Sequence, residues 1–340
     1  MNALLPLSWL YGAGVTILRR ARLAPKLESG PAPRIVAIGN LEAGGNGKTP
    51  LAMWWLERAA EDGIPAAYVS RGYGAAPVSA RVVTCVFRDD TAPAQLSGLR
   101  VLARTHPDLA REIGDEGALV VERVPRALAV FCTDKQLAVA TAARLGARLV
   151  VLDDGFQSWS VPRHTDVVLL DSRAPLDGGQ LLPAGRLREK PAALERADAI
   201  VFNGAATTAE VQSARERVRP WLRDGVPVAG MKRSLVLISA RGEAGSAPSR
   251  VVAVCAIARP ESFTRALAGA GVEVAATLSF RDHHRYTVAD VERIAERAQR
   301  ENATLVTTEK DWMKLRALDV PAPVWRARLE VSLFGDPLPV

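Results

Sequence analysis

The sequence predicts an α/β fold: a mostly parallel sheet with helices on both faces, plus a smaller C-terminal α/β domain. Three observations carry that reading. Short apolar runs alternate with amphipathic stretches long enough to cross back over a sheet. A glycine-rich stretch, Gly39-Asn40-Leu41-Glu42-Ala43-Gly44-Gly45-Asn46-Gly47-Lys48-Thr49-Pro50, sits between the apolar run Ile35-Val36-Ala37-Ile38 and a helix-like segment from Leu51 to Leu56. Polar clusters follow the apolar runs, where ligands of open parallel sheets bind, at the carboxyl ends of strands.

Strand, glycine-rich loop, Lys-Thr and helix is the layout of a phosphate-binding loop, so the sheet is expected to be P-loop NTPase-like. Gly44, Gly45, Asn46 and Gly47 let backbone N–H groups turn toward a triphosphate, and the helix that follows, through Pro50, presents its positive N-terminus to the same anion. Lys48 is placed to reach the β- and γ-phosphates and the Thr49 hydroxyl to hold Mg²⁺. The strict pattern wants glycine five residues before Gly47, where Glu42 stands, so Gly39, Gly44 and Gly45 must supply the turn. A chance Lys-Thr after a glycine-rich turn leaves the flanking strand and helix unexplained.

The 340 residues suggest more than one domain. The expected division is an N-terminal membrane-associating helix over 1–20, a core over 21–225 and a smaller C-terminal domain over 226–340 closing a cleft. Hydrophobic residues at 48% and charged residues at 24% exclude a disordered or fibrous chain. Lys and Arg number 44 against 37 acids, a net +7 that suits an anionic partner: nucleotide, phospholipid, phosphorylated substrate or nucleic acid. Cys85, Cys132 and Cys255 show neither metal spacing nor a disulfide framework, which points to a reducing compartment.

Residues 1–18 carry no charged side chain, and Arg19, Arg20, Arg22 and Lys26 follow. A secretory signal places its charges first, so this is not one. Pro6, Gly12 and Gly14 weaken it as a span, while Trp9 and Tyr11 favour the membrane–water interface. A monotopic anchor fits, and the alternative is a helix packed on the protein's own core.

Further elements follow in order. Ala66–Ser70 reads as a strand ending in Arg71-Gly72-Tyr73-Gly74, and 77–105 as a hairpin or irregular insertion. Leu119–Val121 reads as a short strand and Lys135–Leu145 as an alanine-rich helix. Arg148–Leu152 is a buried strand leading into Asp153-Asp154-Gly155-Phe156-Gln157, and Asp166–Asp171 and Ala199–Asn203 are strands of the same kind. Beyond residue 225 come a strand over Val251–Ile257, a helix over Pro260–Gly271, a strand over Val272–Leu278 and a helix from Val288 to Arg300. Thr287 and Asp290 have the spacing of a capping box for that last helix. Ala303–Asp311 is strand and loop, and Gly242–Ser249 a mobile surface loop.

Asp153 and Asp154 stand where nucleotide-binding enzymes place a metal-holding carboxylate, directly or through water; a turn or helix cap is the bland reading. Gly114-Asp115-Glu116 offers a general-base candidate or a surface turn. His283 and His284 can support a base, bind phosphate or simply cap a helix. The glycines around Arg71 and Tyr73 expose both to phosphate or sugar.

Together these motifs resemble the tetraacyldisaccharide 4′-kinase (lipid A 4′-kinase) family. The glycine-rich loop, Ser70-Arg71-Gly72-Tyr73-Gly74, Gly114-Asp115-Glu116, Asp153–Gln157, Leu181–Glu189, Asp282-His283-His284-Arg285-Tyr286 and Thr307-Thr308-Glu309-Lys310-Asp311 occur in that family's order, to about Leu315. Arg186 departs from the family's proline, and Gly204 stands where lysine is more usual. The resemblance implies transfer of the ATP γ-phosphate to the 4′-hydroxyl of a tetraacylated glucosamine disaccharide 1-phosphate. It implies a monotopic enzyme on the cytoplasmic face of a Gram-negative inner membrane, with no nucleic acid and no protein partner. By position, Lys48 and Thr49 hold ATP and Mg²⁺ with Asp154 and Asp153, Asp115 is the base paired with His283, and Arg71, Tyr73 and Gln157 line the substrate cleft. A membrane-associated nucleotide switch shares the loop and the Asp pair but not the acceptor site, for which Asp115, His283 and the second domain argue; in a soluble phosphotransferase on a small metabolite, residues 1–18 would merely pack on the core.

Overall fold

The computed structural model describes residues 4–24, 33–44, 47–72, 75, 83–87, 98–106, 108–240, 246–257, 259–282 and 284–339. Gly45, Asn46, Tyr73, His283 and much of Gly242–Ser249 lie outside the described residues. The strands of the first half are β1 (Arg34–Asn40), β2 (Ala66–Ser70), β3 (Val83–Val86), β4 (Leu99–Leu102), β5 (Leu128–Phe131), β6 (Leu149–Asp153), β7 (Thr165–Asp171) and β8 (Ala199–Asn203). They continue with β9 (Val228–Ser239), β10 (Arg250–Cys255), β11 (Glu273–Ser279), β12 (Thr304–Thr308) and β13 (Val324–Gly335). The α-helices are α1 (Leu5–Arg22), α2 (Lys48–Glu61), α3 (Leu109–Ile113), α4 (Asp115–Arg123), α5 (Lys135–Arg144), α6 (Thr208–Val218), α7 (Pro260–Gly269), α8 (Val288–Glu301) and α9 (Glu309–Leu315).

Among the described residues thirteen strands join one sheet in the order β11-β10-β12-β13-β9-β8-β7-β1-β6-β2-β5-β3-β4. Among the described residues only β13–β9 and β3–β5 pair antiparallel. The expected α/β class therefore holds. Both faces of β1 are covered: Val36 and Ile38 pack with Leu51, Trp55 and Leu56 of α2, whereas Ile35 and Ala37 pack with Ala138 and Ala142 of α5. Two-sided burial is why these strands read as unbroken apolar runs rather than alternating ones. The chain goes from β1 out to β2 on one side and later to β7 and β8 on the other, so β1 marks the topological switch point, where ligands of such sheets bind.

Three sequence expectations need correction. Leu119–Val121 is not a strand but lies inside α4, where Ala118, Val120 and Val121 bury one helix face; burial overrides the β preference of paired valines. The true strand, β5, starts a few residues later. The described part of 77–105 is no hairpin, because β3 and β4 pair in parallel. The long strands β9 and β13 were not anticipated at all. They run antiparallel from Trp325–Ser239 to Gly335–Ala229, and β9 also pairs with β8, so this ribbon stitches the C-terminal half to the first. The Thr287–Asp290 capping box is present as expected.

α1 docks through a narrow face. Ser8 Oγ donates to the Leu181 carbonyl at 2.9 Å and accepts from the Ala184 amide at 2.9 Å, and Tyr11 OH donates to the Arg188 carbonyl at 3.2 Å. Leu7, Trp9, Leu10, Ile17 and Leu18 remain exposed on the other side. No described helix is long and apolar enough to cross a membrane.

Gly39 lets the loop after β6 lie against β1: a Cβ there would fall 2.5 Å from Phe156 Cβ and 2.7 Å from the Phe156 amide nitrogen. Backbone cannot yield as a flexible side chain can. Gly39→Ala should cost about 1–3 kcal/mol in urea unfolding; an unchanged midpoint would show that the Phe156 segment can move aside.

Candidate active site

β1 ends in Asn40, and the loop that leaves it returns to α2 at Gly47. Gly47 has φ 86°, and a Cβ there would meet Met231 Cε at 3.1 Å and Asn203 Nδ2 at 3.2 Å, so both conformation and space require glycine. Gly44 has φ 120°, and Arg186, the departure from the family's proline, donates to the Ala43 carbonyl at 2.9 Å. Gly204, the other departure, has φ 82°, a conformation lysine would adopt only under strain.

Lys48 folds back across the mouth of the loop. Its Nζ lies 3.2 Å from Asn40 Oδ1, 3.4 Å from the Gly44 carbonyl and 3.3 Å from Asp154 Oδ1. The buried Asn40 Nδ2 has no hydrogen-bond partner among the described residues, which leaves a donor beside this ammonium. Pro50 sits in the first turn of α2, where the missing N–H is no loss.

Asp153 ends β6 and is buried. Its Oδ2 accepts from Tyr68 OH at 2.6 Å and lies 3.4 Å from Thr49 Oγ1; its Oδ1 accepts from the Asp154 amide at 2.9 Å. Burial pushes the Asp153 carboxyl up, the Tyr68 hydrogen bond pulls it down, and the neighbouring Glu116 pushes it up again. Asp154 adopts φ 46°, unusual outside glycine, because Lys135 Nζ draws the carbonyls of Asp153 and Asp154 together at 2.6 and 2.7 Å. That twist turns the Asp154 carboxylate toward Lys48 and toward Arg188 NH1, at 2.9 and 3.0 Å from its two oxygens. Burial pushes this carboxyl up, but Lys48, Arg188 and Lys135 outweigh it and hold it at about 2.

Thr49 Oγ1 lies 3.2 Å from Glu116 Oε2 as well as near Asp153. One hydroxyl proton cannot serve two carboxylates, so the trio is short of positive charge. An all-oxygen set with two carboxylates fits Mg²⁺, which leaves its other positions to phosphates and water. No cluster of three or more His, Cys, Asp or Glu gathers among the described residues, in keeping with so sparse a set.

Asp115 opens α4 after Gly114, whose φ of 83° sets the turn. Its Oδ2 lies 3.4 Å from Lys314 Nζ, and the next residue, Glu116, reaches Thr49. Arg71 is exposed at the end of β2, and Gly72 approaches the Ile113 carbonyl just before Asp115. Gln157 donates to the Asn40 carbonyl at 3.0 Å and to Glu189 Oε1 at 3.1 Å, beneath the loop. His284 braces the capping box rather than facing the site: its Nε2 is 3.0 Å from Asp290 Oδ2 and its ring stacks on Phe280. The structure thus brings Lys48, Thr49, Asp153 and Asp154 into one network and sets Asp115 one residue from its edge. Tyr68, Lys135 and Lys314 carried no site signal in sequence; Asn40, Glu116 and Arg188 stood inside quoted motifs without a role.

The chain is also similar to known proteins. The family described as Tetraacyldisaccharide-1-P 4′-kinase matches residues 1–338. The tetraacyldisaccharide 4′-kinase of Parvibaculum lavamentivorans is 33% identical over 340 residues, covering 98% of this chain and 89% of its own. That of Anaeromyxobacter dehalogenans is 39% identical over 292 residues, covering 83% and 72%. Among solved structures, LpxK from Aquifex aeolicus in complex with ATP is similar at a TM-score of 0.70 and 25% identity, covering 98% of this chain and 94% of that one.

Lys135 supplies a pH test. Burial lowers its ammonium to about 8 against the pull of Asp154 and Asp153, from an ordinary 10.5. Between those values the unfolded chain keeps a proton the folded chain has shed, so this residue's contribution to stability rises with pH across the window. Urea melts from pH 8 to 10.5 should therefore climb more steeply in the parent than in Lys135→Met; parallel profiles would mean the ammonium stays charged.

Proposed function

The chain belongs to the tetraacyldisaccharide-1-phosphate 4′-kinase family, and from that premise we propose that the network around Lys48 is its active site. The reaction moves the γ-phosphate of ATP to the 4′-hydroxyl of a tetraacylated glucosamine disaccharide 1-phosphate, in lipid A biosynthesis. The observation that carries the site assignment is the convergence of Lys48, Thr49, Asp153 and Asp154 at the carboxyl ends of β1 and β6.

Lys48, Gly44 to Gly47 and the N-terminus of α2 bind the β- and γ-phosphates, with Asn40 Nδ2 adding a donor. Thr49 and Asp153, with Glu116 beside them, would hold Mg²⁺, with Asp154 assisting from the neighbouring position, and the ion would supply charge neutralisation for phosphoryl transfer. Asp154 stays ionised because Lys48 and Arg188 flank it, so Lys48 is oriented before nucleotide arrives. Asp115 takes the proton of the 4′-hydroxyl, supported by His283. That proton leaves late in phosphoryl transfer, so placement matters more than basicity. Arg71, exposed at the end of β2, is assigned to the sugar of the acceptor, as is Tyr73 by its place in the motif, whereas Gln157 supports the phosphate loop from below rather than touching the acceptor; residues 226–340 form the lobe on the acceptor side.

α1 lies on the cytoplasmic face of the inner membrane. Its exposed Trp9, Leu10 and Ile17 enter the interface, and Arg19, Arg20 and Arg22 meet anionic headgroups. The acyl chains of the substrate thereby remain in the bilayer.

Transfer of labelled γ-phosphate to the acylated disaccharide, in detergent with Mg²⁺, tests the catalytic assignment. Lys48→Ala should abolish labelled lipid, and Asp115→Asn should lower kcat by about 10²–10⁴ with little change in KM for ATP. Equal losses in kcat and ATP affinity would assign Asp115 to binding instead. For the membrane, Trp9→Ser, Leu10→Ser and Ile17→Ser combined should release the protein from anionic vesicles in sedimentation without changing its melting temperature. Undiminished sedimentation would move the anchor elsewhere.

A further inference from the structure

A cation from the C-terminal half faces the proposed base. Lys314 sits on α9 with only 10% of its side chain exposed, its Nζ 3.2 Å from Asp311 Oδ1 and 3.4 Å from Asp115 Oδ2. Neither contact is an aligned hydrogen bond. The ring of Tyr286 lies 5.7 Å from the same nitrogen, so a third side of the ammonium meets an aromatic face.

Asp311 is fully buried and already held on one oxygen, where Oδ2 accepts from the Ala256 amide at 2.9 Å and from Thr308 Oγ1 at 2.8 Å. Its other oxygen turns to Lys314, so the ammonium is fixed from behind. A buried ammonium is costly unless anions surround it, and here the second anion is Asp115, on a helix from the other half of the sheet. That helix is clamped at its far end too. Glu122 pairs with Arg316 and Arg326, and Arg123 pairs with Glu309 and donates to the Leu329 carbonyl at 2.7 Å. α4 is therefore held at both ends against the C-terminal half, and Asp115 and Lys314 are presented to each other from two packed helices.

We propose that Lys314 is a positioning residue for Asp115: a buried cation, anchored by Asp311, that holds the Asp115 carboxylate in place for the 4′-hydroxyl. The proposal rests on the reading of Asp115 as the base. It also means that the C-terminal half completes the site, since the base is oriented only when α9 lies against α4.

The test is a double-mutant cycle in the full chain, with kcat and KM for ATP measured by phosphate transfer to the acylated disaccharide and folding followed by thermal melting. Lys314→Met should lower kcat about 10²-fold, as expected of a misplaced reacting group, with KM for ATP near the parent value. Lys314→Arg should restore most of the loss. In the Asp115→Asn background, Lys314→Met should cost nothing more, because the residue it acts through is gone. The same fold loss in both backgrounds, or an unchanged kcat in Lys314→Met, overturns the proposal. If Lys314→Met melts early, Lys314→Gln carries the same cycle. Full turnover in Asp115→Asn alone would overturn the base assignment and the positioning role with it, and that is read before Lys314 is changed.

Discussion

The rest of this structure depends on enclosing one carboxylate. Asp153 sits buried at the end of the central strand pair β1 and β6, where an unpaired charge would cost several kcal/mol. Three elements meet that cost: β2 sends Tyr68, α2 sends Thr49, and α5 sends Lys135 to the carbonyl of the same residue. Each donor is itself buried in the sheet's two-sided core, so the position of the carboxylate is over-determined. The left-handed turn at Asp154 adjoins that clamp, and the second carboxylate faces Lys48.

The two halves of the chain are less independent than a division near residue 225 suggests. A ribbon of two long antiparallel strands continues the sheet from one into the other, and α4 is clamped by charges from α9 and β13. Several of these pairs are only partly exposed, so they are weakly screened and hold geometry better than surface pairs do. The proposed base is therefore placed by both halves.

Strands buried on both faces announce themselves as apolar runs, and β1, β2, β6, β7, β8, β10 and β12 were readable for that reason. β9 was not: its first residues are buried, but Lys232, Arg233 and Ser234 emerge into solvent and break the run. Leu119–Val121 misled because β-branched residues look the same on the buried face of a helix. In the site, Lys48 and Thr49 were readable from spacing alone, as loop and helix are contiguous in the chain. Lys135, Tyr68 and Lys314 reach the site only through strand order and helix packing, which no local pattern encodes. Asp153 and Asp154 were readable as a pair, but their division into a carboxyl pushed up by burial and one held down by Lys48 and Arg188 follows from the packing around them.

Arg188 joins the chemistry to the N-terminal helix. Its guanidinium holds Asp154, while its carbonyl takes the Tyr11 hydroxyl of α1, and Ser8 ties the same segment at Leu181 and Ala184. For a helix resting on a bilayer, that linkage sets the height of the phosphates above the hydrocarbon at a constant value. Encounter with the acceptor then becomes a search in two dimensions. Turnover should follow the mole fraction of acylated disaccharide in the surface, falling as inert lipid dilutes it even when the bulk amount is unchanged.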